Sequence, residues 1–259
     1  MTAPKVYVTD HQHSRVIGSA MATGCGGQIV PPLRLLDGPA VVYGILRGCD
    51  KIIKQCQWIH RDFYHIDLGY FKRGHYEGYY RITKNAFQAD VSWLIKEAND
   101  LSLLHGALKT DRFDVLGVPI RPWIRKGRDV IVCPISSNWA EFVGIDKQRW
   151  LEVVCDELDK HTDRPIIIKE KNQGNLAEIL SDAWCIVTHS SNAAVDAIMN
   201  GIPAIVLGQS AAISVSWGFE NIEKPRWPDR AQWAHALANH QFTIAEMRSG
   251  LAWEYVSRE

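Results

Sequence analysis

The chain has 259 residues, 46% of them apolar and 22% charged, with 29 basic side chains balancing 29 acidic ones. This is the composition of a globular protein long enough for two domains. A net charge of zero excludes a global basic field for nucleic acid while leaving a local basic groove open. No run of about 18 apolar residues marks a membrane span, and no charged-then-apolar leader opens the sequence. A soluble, cytoplasmic protein without a membrane partner is therefore expected. The six cysteines, at 25, 49, 56, 133, 155 and 185, form no CxxC pair and read as reduced thiols.

In chain order, residues 6–8 are a short strand, and Ser14 is positioned to cap a helix running to Thr23, ended by Gly24, Gly26 and Gly27. His11 and His13 read as a surface loop pair or, if both rings met on one side of a strand, as metal ligands. Residues 40–43 are a strand, 50–56 a helix and 58–66 a strand-like run. Residues 67–88, rich in Tyr, Gly, Lys and Arg, have no clean period and read as an irregular insertion. The Pro- and Arg-rich residues 118–127 read as a linker.

The second half is more regular. Residues 128–133 are a strand, followed by a polar loop over 134–144. Asp146 caps a helix with Trp150, Leu151, Val154 and Leu158 on one face. A strand over 165–169 ends at Lys169, and 175–180 is a short helix. Residues 185–187 are a buried strand, followed at once by Thr188, His189, Ser190, Ser191 and Asn192. A helix over 193–199, Gly201 as its left-handed cap and a strand over 204–207 complete the unit. The tail carries one helix from about Asp229 and another from Thr243, where Thr243 and Glu246 match a capping box.

Strands alternating with helices indicate parallel sheets, and in such sheets ligands bind outside the carboxyl ends of the strands. Three polar sets fall there: Ser136, Ser137 and Asn138; Lys169 and Lys171; and His189 to Asn192. A strand that ends in small polar residues at a helix start gathers unpaired N–H groups, a natural seat for phosphate. Lys169 reads as a cation for that seat or as a solvated strand end, and His189 as a phosphate ligand or a cap.

The run Thr188-His-Ser-Ser-Asn-Ala-Ala-Val-Asp-Ala197, with Gly201-Ile-Pro203 after it, resembles the donor half of GT-B glycosyltransferases. More narrowly it is similar to their capsule-polysaccharide and small phage-type members. The tail, with Arg230, Trp233, Leu237, Gln241, Glu246 and Trp253, resembles the ends of phage transferase-like proteins. The likeness covers roughly residues 128–255 in sequence and 1–110 in architecture only.

The resemblance implies an α/β chain of two Rossmann-like lobes with parallel sheets and C-terminal helices packing across them. Residues 1–117 would be the acceptor lobe, 118–127 the linker, 128–225 the nucleotide-sugar lobe and 226–259 the closing helices. It implies sugar transfer from a nucleotide-sugar, a UDP-sugar first, with no metal required and no cofactor besides the donor. Ser136, Ser137, Asn138, Lys169, His189, Ser190, Ser191, Asn192 and Asp196 would bind that donor. Asp67, between a strand and Gly69, would be the general base, with Asp62 and Asp10 as rivals and an Asx turn as its plainer role.

The cations and rings at Tyr70, Lys72, Arg73, Tyr79, Arg81 and Lys84 would meet an acceptor such as a 5-hydroxymethylpyrimidine in phage DNA, its base flipped out. Such an enzyme would work in the host cytoplasm. Transfer to a glycan or lipid, nucleotide-sugar 2-epimerisation and a non-catalytic nucleotide- or nucleic-acid-binding module stay open as alternatives.

Overall fold

The computed structural model describes residues 2–89, 91, 112–171, 173 and 176–258. The first half holds β1 (Lys5–Tyr7), α1 (Gln12–Cys25), β2 (Gln28–Val30), β3 (Ala40–Tyr43), α2 (Cys49–Trp58), β4 (Phe63–Leu68), β5 (Tyr80–Lys84) and α3 (Arg112–Leu116). The second holds β6 (Asp129–Cys133), α4 (Ser137–Val143), α5 (Lys147–Leu158), β7 (Ile166–Ile168), α6 (Leu176–Ile179), β8 (Ala183–Thr188), α7 (Ala193–Met199) and β9 (Ala204–Val206). The tail adds α8 (Ala231–Asn239), β10 (Gln241–Phe242), α9 (Ile244–Ser249) and α10 (Leu251–Val256).

These elements form two compact units. The first comprises the described parts of Met1–Ala89, Glu97–Val118 and His235–Glu259, and the second those of Asp90–Lys96 and Pro119–Ala234. The first unit is built on a mixed six-stranded sheet, β10-β5-β4-β3-β1-β2. Strands β1 to β4 are parallel, and β5 and β10 are antiparallel additions at one side. Ile17, Ala20 and Met21 recur at helical spacing on α1 and pack with Val6, Val41 and Ile66 of the sheet. Met247, Ala252 and Val256 of the tail helices enter the same core.

The second unit is built on a fully parallel sheet, β7-β6-β8-β9. Strands β6 and β8 are buried along their whole length, as continuous apolar runs in a covered parallel sheet should be. Val154 and Leu158 of α5 pack with Val130, Val187 and Ile205, and Trp184 and Trp217 extend this core.

Several expectations shift. Ser14 does not cap α1; its Oγ accepts from the Thr9 N–H at 2.9 Å, and the helix begins from His11 without a side-chain cap. The polar stretch after β6 is helical, because Ser136 caps it and Gly144, at φ +74°, ends it. Helix α2 runs through Trp58, so the strand after it begins only at Phe63. Within residues 67–88, β5 pairs antiparallel with β4, making a hairpin where an irregular insertion was expected.

Residues 121–124 are part of the second unit: the Arg121 and Ile124 N–H groups donate to Met199 O and Gly201 O at 2.9 and 2.7 Å. Buried Arg230 donates to Ile198 O and Arg121 O and stacks 3.7 Å from the centre of the Trp123 ring. The short helix before β8 is seen from Leu176, and Asn175 lies outside the described residues. The capping box is present, with Glu246 N–H donating to Thr243 Oγ1 and Thr243 N–H to Glu246 Oε2.

Candidate functional site

In the second sheet the chain leaves β6 for β7 on one side and then crosses to β8 on the other. The carboxyl ends of β6 and β8 therefore flank a topological switch point, where diverging connections leave a crevice. Both ends are polar. After β6 come Ser136, Ser137 and Asn138, all exposed at the start of α4, and Ser136 Oγ accepts from Trp139 N–H at 3.4 Å. After β8 come His189, Ser190, Ser191 and Asn192, leading into α7. Ser191 Oγ accepts from the Ala193 N–H at 3.2 Å, and Asn192 O from the Asp196 N–H. Asp196 lies one turn into α7 and is partly exposed.

His189 is held on several sides. Its Nδ1 lies 3.1 Å from Ser190 Oγ, and its carbonyl accepts from the Leu207 and Gly208 N–H groups beyond β9. The Trp150 ring meets it edge-on, with ring centres 6.4 Å apart. Gly208 leaves room for the imidazole: a Cβ there would sit 2.3 Å from His189 Cε1. Half-burial holds this imidazole below its ordinary pKa, which favours the neutral ring at pH 7.

A cavity of about 440 Å³ adjoins His189, lined by Ile145, Asp146, Arg149, Trp150, Val153, Val154, Glu157, Leu207 and Phe219. It is open to solvent, and its wall joins Trp150, Leu207 and Phe219 with the charged Asp146, Arg149 and Glu157. Trp150 and Leu207 belong both to the cavity wall and to the surroundings of His189. The sequence placed Trp150 on a helix face, but the pairing with Leu207 and Phe219 depends on distant crossovers. Lys169 follows β7 beside Cys133, with its N–H on Val132 O; it is buried, and its Nζ donates to Glu170 O at 2.8 Å. Lys171 is exposed.

In the first unit Asp67 does not follow β4 but lies within it, one residue from its end and paired with Arg81 of β5. Its Oδ1 accepts from Leu68 N–H at 2.8 Å, a bond to the next residue of the strand and not an Asx turn, and its Oδ2 from Arg81 at 2.6 Å. Two acceptor-side assignments do not survive. Arg81 is 5% exposed, and its guanidinium also donates to Leu68 O and Phe87 O. Tyr70 is 1% exposed, and its hydroxyl accepts from the Ala89 N–H. Both hold the hairpin together from inside and present nothing to a nucleic acid. Lys72 and Arg73 are exposed, Tyr79 is half-buried, and Lys84 sits 3.9 Å from Asp62.

All six cysteines are free, four of them buried. Among the described residues no group of three or more His, Cys, Asp or Glu is placed to hold a metal ion. Nor is any helix among them long and apolar enough to cross a membrane.

No protein-family model matches the chain, and no curated protein matches it. Solved structures do. A structure of Thermosulfurimonas dismutans KpsC described as the β-Kdo 2,7 transferase aligns with TM-score 0.52 at 12% identity, covering 98% of this chain and 100% of that one. Another, described as the β-Kdo 2,4 transferase of the same KpsC, aligns with TM-score 0.49 at 11% identity, covering 92% and 91%. The first of these likenesses shows a shared fold.

Proposed function

We propose that this chain is a glycosyltransferase of the two-lobed GT-B type that seats a nucleotide-activated sugar at the carboxyl edge of its second sheet. The observation that carries the reading is the union of two features at one switch point: the paired hydroxyl and amide sets, and the adjoining cavity. A nucleotide has the same two parts, an anion and a flat apolar-faced base. The fold shared with a Kdo transferase agrees with this reading, although fold alone does not assign chemistry.

In the proposed reaction an acceptor hydroxyl bonds to the anomeric carbon, and the sugar–phosphate bond breaks. The nucleotide leaves with the electron pair, and the acceptor proton passes to a carboxylate, for which Asp67 is the proposed residue. Ser190, Ser191, Asn192 and the Ser136–Asn138 set supply hydrogen-bond donors to the charge developing on the leaving phosphate, and neutral His189 adds an N–H. Lys169 is proposed to add positive potential from behind the β6 end, and Asp196 to face the sugar. Donors placed in this way take the role a metal plays elsewhere, so no metal is proposed. The acceptor carried forward is a 5-hydroxymethylpyrimidine in DNA.

The test is to incubate the protein with UDP-sugars and nucleotide-activated Kdo, and with DNA containing hydroxymethylcytosine or hydroxymethyluracil. Digested nucleosides are then weighed. The expected result is a gain of one sugar, undiminished by a chelator. Nucleotide release without that gain would move the acceptor to a glycan or lipid. Neither product nor nucleotide binding would leave a non-catalytic module.

A further inference from the structure

The first unit carries the same strand order as the second, β2-β1-β3-β4, and so has a switch point of its own between β1 and β3. The residues at that edge are of another kind. Past β1 stand Asp10, His11 and His13, past β3 stands Arg47, and the β4–β5 hairpin contributes Lys72, Arg73, His75 and Tyr76. His13 and His75 stack with ring centres 4.1 Å apart and planes 20° from parallel. His11 and Tyr76 meet His13 edge-on, at 5.1 and 4.7 Å.

Core packing does not explain these rings. His11 and His75 are exposed, Tyr76 is 40% exposed, and none belongs to the hydrophobic core. Of these rings Tyr76 alone has a left-handed backbone, at φ +70°, and the nearby cations Arg47 and Lys72 share it at +57° and +45°; such a conformation for a bulky residue costs on the order of 1–3 kcal/mol. The rings lie face to face, so the stack offers π-faces and not a convergence of ring nitrogens, in keeping with the lack of a metal-holding group among the described residues.

We infer that this edge of the first unit binds a nucleotide, through residues other than those proposed to hold the donor. The base extends the His13–His75 stack beside Tyr76, and Lys72 and Arg73, two and three residues before His75, meet the phosphate. The acids at this edge are matched in part: Asp10 lies 3.6 Å from Arg47, and Asp67 is held by Arg81, leaving Glu77 as the exposed carboxylate of the hairpin. A mononucleotide and a nucleotide within a strand share this chemistry.

The experiment titrates the full chain with deoxycytidine monophosphate and with a labelled single strand of about twelve nucleotides. Strand binding that weakens with salt and exceeds mononucleotide binding would identify a nucleic acid; equal affinities would identify a free nucleotide. In either case His75→Ala and Tyr76→Gly should weaken binding about tenfold, the loss expected of one base–ring stack. Tyr76→Gly suits the positive φ, so it removes the ring without straining the hairpin. Donor-sugar binding should be unchanged in both variants, whereas Ser190→Ala should weaken donor binding and spare the strand. The inference is overturned if the wild type binds neither ligand, if both ring variants bind as wild type does, or if only Ser190→Ala reduces binding. A failure of the transferase reading would show separately, as absent donor binding with the ring effects intact.

Discussion

The two sheets share one parallel arrangement, 2-1-3-4 counted from the first strand of each unit, and differ in what ends their central strands. In the second unit the ends of β6 and β8 carry Ser136, Ser137, Asn138, Ser190, Ser191 and Asn192, short side chains that let backbone N–H groups approach an anion. In the first unit the matching ends carry His11, His13 and Arg47, faced by the rings and cations of a hairpin. Topology places a binding edge in both; side-chain length and polarity decide what each edge takes.

Their interiors differ as well. The first unit buries His65 and His240, each held down at about 4 by burial. Both nitrogens of His65 lack a hydrogen-bond partner among the described residues. A depressed histidine means that the unfolded chain takes the proton first. The stability these residues leave intact is therefore full above about pH 6.5 and falls as pH drops toward 4. At about 1.4 kcal/mol per pH unit, each costs roughly 3 kcal/mol by pH 4, together a large share of a domain's stability. Hydrogen exchange followed down the pH scale should show peptides of the first unit opening before those of the second, with His65→Leu removing part of the difference. Simultaneous opening of both units would break the comparison.

The next effect in size concerns Arg81. It donates to Leu68 O, Phe87 O and the partly exposed Asp67, so Arg81→Met should cost about 2–3 kcal/mol in urea unfolding, chiefly by leaving the two carbonyls without their donor. A folded variant of undiminished stability would return Arg81 to the surface role its charge first suggests.

Much of the second unit is legible because its strands are uninterrupted apolar runs and its helix ends carry Asp146 and Gly201 where caps belong, whereas the helix that Ser136 caps reads in sequence as a polar loop. The capping box at Thr243 is read directly from four residues. The hairpin strand β5 is not legible, because both of its faces are covered. Tyr80, Arg81, Ile82 and Thr83 are all buried, so the alternation that announces a half-exposed strand is missing. Tyr70 and Arg81 look like a nucleic-acid surface for the same reason: a cation and a phenol in sequence do not reveal that they satisfy buried carbonyls and amides. The polar sets at the edge of the second sheet are visible as strand-end clusters, while the cavity is assembled from α5, Leu207 and Phe219, whose meeting no local pattern encodes.

Two smaller effects sharpen the account of the second edge. Gly208 has no positive φ, so alanine suits its backbone, but the added Cβ would collide with the His189 ring. Gly208→Ala should lower stability by about 1–3 kcal/mol as the ring is displaced and weaken donor binding about tenfold, read by calorimetry; unchanged affinity would free His189 of a role. Trp150→Ala should weaken donor binding by about 1–3 kcal/mol, as loss of a base-stacking ring does. Smallest of all, Thr243→Ala should cost about 1 kcal/mol through the cap alone and leave donor binding untouched.

The most direct test of the central claim is hydrogen–deuterium exchange of the whole chain with and without a nucleotide-sugar. The account predicts protection at residues 134–138, 188–193 and 145–157, the two strand ends and the cavity wall. Protection confined to the first unit, or none at saturating donor, would contradict it.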